Sequence, residues 1–121
     1  MIVVQLRLFS AGPTDPTMGL AGFAEVTSAL RGCLDCRLYR AAKGAPELLY
    51  LEHWEDWPSL EVHVRTARFR RLLEFMERST QPPELLFFET TNHRGLEFVE
   101  QVRGSKLRNT GDSPHTNGGS S

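Results

Sequence analysis

Apolar residues in this chain keep two different beats, and the order in which the beats alternate leaves few folds open. Ile2, Val4, Leu6 and Leu8 recur at every second position, with Val3, Gln5, Arg7 and Phe9 between them, as in a strand buried chiefly on one side. Past the breaker cluster at 10–16 the spacing changes to three and four, through Leu20, Phe23, Thr27 and Leu30, with Ala24 and Val26 beside them. That predicts an amphipathic helix, weakened by Gly19 and Gly22 and ended by Gly32. Alternation returns in Cys33–Arg40 and in Glu47–Trp54, and the turn residues Lys43-Gly44-Ala45-Pro46 join these two strands as a hairpin. Asp56 is placed to cap the next helix and Pro58 suits its first turn. Its apolar stripe is predicted at Leu60, Val64, Leu72, Leu73 and Met76, with a bend or a second short helix where the period slips at Thr66-Ala67-Arg68. Pro82-Pro83 stops that helix, and residues 85–91 supply a last strand.

Strand, helix, strand, strand, helix, strand is the ferredoxin-like α+β arrangement, an antiparallel four-stranded sheet with both helices on one face. The other face is then bare. With 121 residues, 40% of them apolar, the chain has material for one modest core, and a second copy laid sheet against sheet is the economical cover. A homodimer is therefore expected. Residues 95–102 satisfy neither period and fit an added strand or a short helix. From Gly104 onward only one large apolar residue remains, so residues 1–103 are expected to form the domain and 104–121 a disordered tail.

Several function classes drop out on simple grounds. Lys and Arg number 14 against 15 Asp and Glu, so no chain-wide positive field draws nucleic acid or an anionic membrane. Arg7 interrupts the N-terminal apolar run too early for a signal peptide, and no run nears the ~18 residues of a membrane span, which reads as a cytoplasmic protein. No Gly-rich phosphate loop, H-E-x-x-H or G-x-S-x-G element occurs. Cys33 and Cys36 form a single C-x-x-C, but residues three apart on a regular strand face opposite ways. Their sulfurs are predicted to diverge, as ordinary thiols and not as a metal or redox site.

One stripe stands out chemically. Tyr50, Glu52 and Trp54 share a face of the third strand, an odd mixture for either an aliphatic core or a solvated surface. The plain reading is two packed rings with Glu52 paired to an arginine; the functional one is the lining of a cavity between sheet and helices. His63, nine positions after Trp54, flanks the apolar stripe of the next helix and fits either a satisfied core histidine or a group looking into that same space. His53 alternates onto the opposite face, toward an interface or the surface. Arg65, Arg68, Arg70, Arg71 and Arg78 are interspersed with Glu61, Glu74 and Glu77, which reads as a solvated helix face. Phe87-Phe88 reads as ordinary sheet packing on two faces.

With these elements in place, Gly32-Cys33-Leu34-Asp35-Cys36-Arg37-Leu38-Tyr39-Arg40, Leu49-Tyr50-Leu51-Glu52-His53-Trp54-Glu55-Asp56, Leu60-Glu61-Val62-His63 and Arg68-Phe69 together resemble the antibiotic biosynthesis monooxygenase family. The likeness comprises a G-C-L-x-x-R-L-Y element, an E-x-W element closing the third strand and the histidine nine residues later, over roughly residues 1–91. It implies a dimeric α+β barrel of two ferredoxin-like protomers, each with a pocket between sheet and helices. It also implies an oxygenase that uses neither metal nor flavin, acting with dioxygen on a quinol or polyphenolic ring. In that frame His63, Trp54 and Glu52 are the catalytic candidates, with His63 or Glu52 taking or sharing the proton. Trp54 and Tyr50 would bind the ring and donate hydrogen bonds, and Phe69 would exclude water. Arg37 and Tyr39 are second-choice pocket residues, because alternation leaves open which face of their strand looks toward the helices. The alternative is a non-enzymatic dimer of the same fold that binds a ligand or partner. Arg31 stands where the family usually has proline, and the haem-degrading branch's asparagine and histidine positions hold Gln5 and Arg7, and Arg70-Arg71-Leu72-Leu73, which disfavours haem degradation.

Overall fold

A computed structural model of the chain describes residues 1–10 and 15–112, with side chains as far as Gly104. The chain divides after Thr91, and the first unit holds the whole sheet. Strand β1 (Ile2–Phe9) pairs antiparallel with β3 (Glu47–Trp54) on one side and β4 (Glu84–Glu89) on the other, while β2 (Cys33–Arg40) pairs with the far edge of β3. The sheet order β2-β3-β1-β4 places the two most regularly alternating strands in the middle, where both edges are hydrogen-bonded. The fold is the α+β ferredoxin-like arrangement.

Register decides which side chains meet. Ile2, Val4, Leu6 and Leu8 lie opposite Trp54, Glu52, Tyr50 and Leu48, and all eight are buried beneath the helices. The reverse face carries Val3, Gln5 and Arg7 opposite His53, Leu51 and Leu49, where Arg7 pairs with Glu47 at 2.7 Å and Glu84 at 3.5 Å. On β2 a bulge between Cys33 and Asp35 inserts one residue, so Cys33 lies opposite Trp54 and Cys36 opposite Glu52. The divergence predicted for the two sulfurs is therefore corrected: both point to the helix face, with Cys36 in the core and Cys33 packed against it. Alternation counted from sequence missed the inserted residue.

Helix α1 (Thr17–Ser28) buries Leu20, Phe23, Ala24 and Thr27. Gly32 reverses the chain at φ +84°, where an added Cβ would fall on the Ser59 side chain, and its carbonyl accepts from the Glu55 N–H at 2.9 Å. The second helix is two. Asp56 caps α2 (Trp57–Val64) by accepting from the Ser59 N–H at 2.9 Å, and Thr66 caps α3 (Ala67–Glu77) by accepting from the Phe69 N–H at 3.3 Å. The break at Arg65 and Thr66 resets the helical phase. Leu60 and His63 of α2 and Phe69, Leu72 and Phe75 of α3 turn inward, whereas Val64 and Leu73, expected in the stripe, stay exposed.

In the second unit, the segment that fitted neither period is a helix, α4 (Leu96–Asp112). Glu97 folds back to accept from the Gly95 N–H at 2.7 Å, and the Arg94 guanidinium lies 5.1 Å from the Phe98 ring centre. Gly104, where composition predicts the tail to begin, falls inside this helix, and residues 113–121 lie outside the described ones. Among the described residues no helix is long and apolar enough to cross a membrane.

Candidate functional site

Glu52 is the centre of the candidate site. Its carboxylate is wholly buried in the middle of β3, and a buried carboxylate is tolerable only when its lone pairs are taken. Residues two apart on a strand share a face, so Tyr50 and Trp54 flank it from either side. The Trp54 indole N–H donates to Oε1 at 2.8 Å and the Tyr50 hydroxyl donates to Oε2 at 2.5 Å. From above, the His63 ring on α2 brings Nε2 to 3.3 Å of the same Oε2. Among the described residues no arginine reaches it. The plain reading of Glu52 as one half of an arginine pair is replaced by a carboxylate held by a phenol, an indole and an imidazole.

The imidazole is clamped by rings. Trp54 stacks on His63 with centroids 4.9 Å apart and planes 29° apart, and Phe69 meets it edge-on at 5.3 Å and 89°. Phe23 of α1 closes a third side, 6.4 Å from His63 and 6.0 Å from Tyr50. The clamp exists because the α2/α3 break lets His63 and Phe69 both face the sheet; Thr66, at the break, donates its hydroxyl to the His63 carbonyl at 2.6 Å. Burial, reinforced by the Glu52 charge, pushes the Tyr50 hydroxyl far above its ordinary range, so Tyr50 serves as a donor and not as a base. Burial likewise raises the thiols, Cys33 to about 11 and Cys36 to about 12, which keeps both protonated at neutral pH.

The structure thus brings together Tyr50, Glu52, Trp54, His63 and Phe69. It separates Arg37 and Tyr39 from them. Both lie opposite Leu51 and Leu49 on the reverse face, exposed, with Arg37 turned to Asp35 at 3.1 Å. Two neighbours carry no site signal in the sequence: Phe23, against Tyr50 and His63, and Cys36, opposite Glu52. Phe23 is legible only as a member of a helical stripe. Cys36 was hidden by the bulge. Among the described residues no three histidine, cysteine or acidic side chains gather as metal ligands would.

Residues 19–74, which cover most of α1, all of β2, β3 and α2 and most of α3, match the sequence model of the antibiotic biosynthesis monooxygenases. Over that stretch the chain is similar to this family. Every member of the Glu52 cluster falls within the matched stretch. Solved structures share its fold at low identity. A Deinococcus radiodurans protein ascribed to the antibiotic biosynthesis monooxygenases superposes with a TM-score of 0.69 at 14% identity, over 78% of this chain and 97% of its own. Rv0793 from Mycobacterium tuberculosis gives 0.65 at 20% identity, over 78% and 98%. SnoaB, a cofactor-independent oxygenase from Streptomyces nogalater, gives 0.63 at 13% identity, over 76% and 94%. Among curated proteins none matches.

Proposed function

We propose that this protein is a cofactor-independent monooxygenase that oxidises a quinol-like or polyphenolic ring with dioxygen, working as a homodimer. The observation that carries the reading is the buried Glu52 carboxylate with an imidazole on it, roofed by aromatic rings. An electron-rich phenol needs little from a protein. Once it loses its proton, the phenolate passes one electron to dioxygen, the two radicals join through a new carbon–oxygen bond, and loss of water leaves a carbonyl. One oxygen atom ends in the product and the other in water. The Glu52–His63 pair supplies a place for the first proton, and Trp54, Phe23 and Phe69 offer flat apolar surface that disfavours water. The similarity to SnoaB, itself a cofactor-independent oxygenase, supports the same chemistry class.

The half-buried Leu49, Leu51 and His53 on the reverse sheet face support the homodimer reading. The second reading, a ligand-binding module without chemistry, draws on the near-complete burial of Tyr50, Glu52, Trp54 and His63. Oxygen uptake by metal-free protein with a panel of hydroquinones and naphthols separates the two. Uptake well above autoxidation for at least one ring, lost in His63→Ala, supports the enzyme. Saturable binding of those rings with uptake at the autoxidation rate supports the module. An absorbance spectrum of the purified protein showing bound haem or flavin contradicts the cofactor-free mechanism.

A further inference from the structure

Trp57, Val64 and Phe87 are large apolar side chains that stay 38%, 40% and 42% exposed, and all three line one groove. Val64 belongs to the stripe that the sequence predicts as buried, and Phe87 reads from sequence as ordinary sheet packing. Apolar surface left wet on both walls of a single depression needs a cause that scattered exposure does not.

The groove lies between α2 and β4, holds about 340 Å³ and is lined by Trp57, Leu60, Glu61, Val64, Arg65 and Phe87. Its position follows from register. Glu52 and Phe87 both lie opposite Val4, so one cross-strand row on the helix face runs from Glu52 through Val4 to Phe87. Two strand spacings put the ends of that row about 10 Å apart. Leu60 makes a second link, since it lines the groove and also packs in the cluster formed with Ile2, Val4 and Trp54. The groove and the Glu52 cluster thus share Leu60 and Trp54 as the wall between them.

Size and charge select the occupant. A stable protein interface takes about 20–30 residues a side, whereas six line this groove, and its volume falls in the small-molecule range of about 300–1,000 Å³. Two aromatic rings and two aliphatic side chains offer flat, apolar contact. The charges at the rim are already engaged: Arg65 lies 3.8 Å from Glu61, and Glu89 accepts from the Trp57 indole N–H at 3.1 Å. One cation beside two carboxylates leaves this rim negative, which disfavours an anionic ligand.

Resting on the monooxygenase reading, we propose that this groove docks the substrate's ring system and selects an uncharged fused aromatic over one bearing a carboxylate or sulfonate. Trp57 and Phe87 take the ring, and Leu60 stands between the docked ring and Trp54. The event is one of binding, with no bond made or broken.

The test uses the full chain with 13C-labelled valine and leucine methyl groups, and 2-methoxynaphthalene, whose ether oxygen has no proton to lose. The expected result is saturable binding, with contacts from the ring protons to the Val64 and Leu60 methyls. Phe87→Ala weakens that binding roughly tenfold, and so does Val64→Asp, a change at an exposed helix position that spares the fold. Naphthalene-2-sulfonate binds roughly tenfold more weakly than the ether, and Glu61→Gln narrows the gap. An absence of contacts at these methyls overturns the inference, as does equal binding of the sulfonate. So do Val64 and Leu60 signals that change with protein concentration in the free protein and lose that dependence in Phe87→Glu, which would assign the groove to a second copy. Because the ether is not turned over, its failure to bind leaves the oxygen-uptake result untouched. A protein that binds the ether in the groove but oxidises no ring retracts the monooxygenase reading and keeps the groove as a ligand site.

Discussion

Glu52, Trp54 and Tyr50 are bound to one another so closely that each substitution exposes a partner. Trp54→Phe removes the indole donor on Oε1 and leaves part of a large ring's volume empty. It should cost roughly 2–4 kcal/mol, read as a shift in the urea midpoint. Glu52→Gln keeps the shape but places an amide against two donors, so it should cost about 1–3 kcal/mol by the same measurement. The thiols give a second check. With Cys33 held at about 11 and Cys36 at about 12, both should resist iodoacetamide at pH 8 in the native protein, Cys36 more than Cys33, and react promptly in urea. Rapid native alkylation of Cys36 would contradict its burial. At this scale the sequence was informative about which residues meet, because period two alone puts Tyr50, Glu52 and Trp54 on one face. It could not show what holds the carboxylate. That depends on a helix that brings His63 in from eleven residues away.

Elements were legible wherever local chemistry decides them. Asp56 and Thr66 cap their helices because each can hold the first free N–H groups; the Asp56 cap and the slip at Thr66 can be read from the chain, the Thr66 cap only from the structure. Which residues α3 buries was less legible: Phe69 and Phe75 take the inward places once the break resets the phase, an outcome set by tertiary packing of Phe69 on His63 and of Phe75 on Phe23. Thr66→Ala should destabilise the protein by about 0.5–2 kcal/mol and loosen the His63–Phe69 clamp, visible as broadening of the His63 ring signals. Gly32→Ala should be worse than an ordinary turn substitution, because the new Cβ meets both a positive φ and the Ser59 side chain; a loss of about 1–3 kcal/mol is expected from thermal unfolding. Asp56 adds a pH dependence. Its bond from the Ser59 N–H holds the folded carboxyl below the usual carboxylate range, so its contribution is complete above that range. It is lost as pH falls through the lowered value, and Asp56→Asn should flatten that acid limb.

At the scale of the molecule, the first unit covers one face of its sheet with α1, α2 and α3, while Leu49, Leu51 and His53 on the reverse face stay half-buried. If the reverse face joins two copies, Leu51→Glu should shift the sedimentation coefficient from dimer to monomer while leaving the Glu52 cluster intact, as judged by tryptophan fluorescence. A wild-type protein that sediments as a monomer at micromolar concentration would contradict the dimer. The ferredoxin-like order could be read from periodicity alone. The chemistry could not, because a family fold constrains the frame and leaves the reaction to a handful of side chains. The most direct measurement is therefore isotopic: metal-free protein turning over a reactive quinol or naphthol under 18O-labelled dioxygen, with product and water analysed by mass. One labelled atom is expected in the product carbonyl and one in water, both falling to the autoxidation background in His63→Ala. Unlabelled product, or label recovered only as hydrogen peroxide, would contradict it.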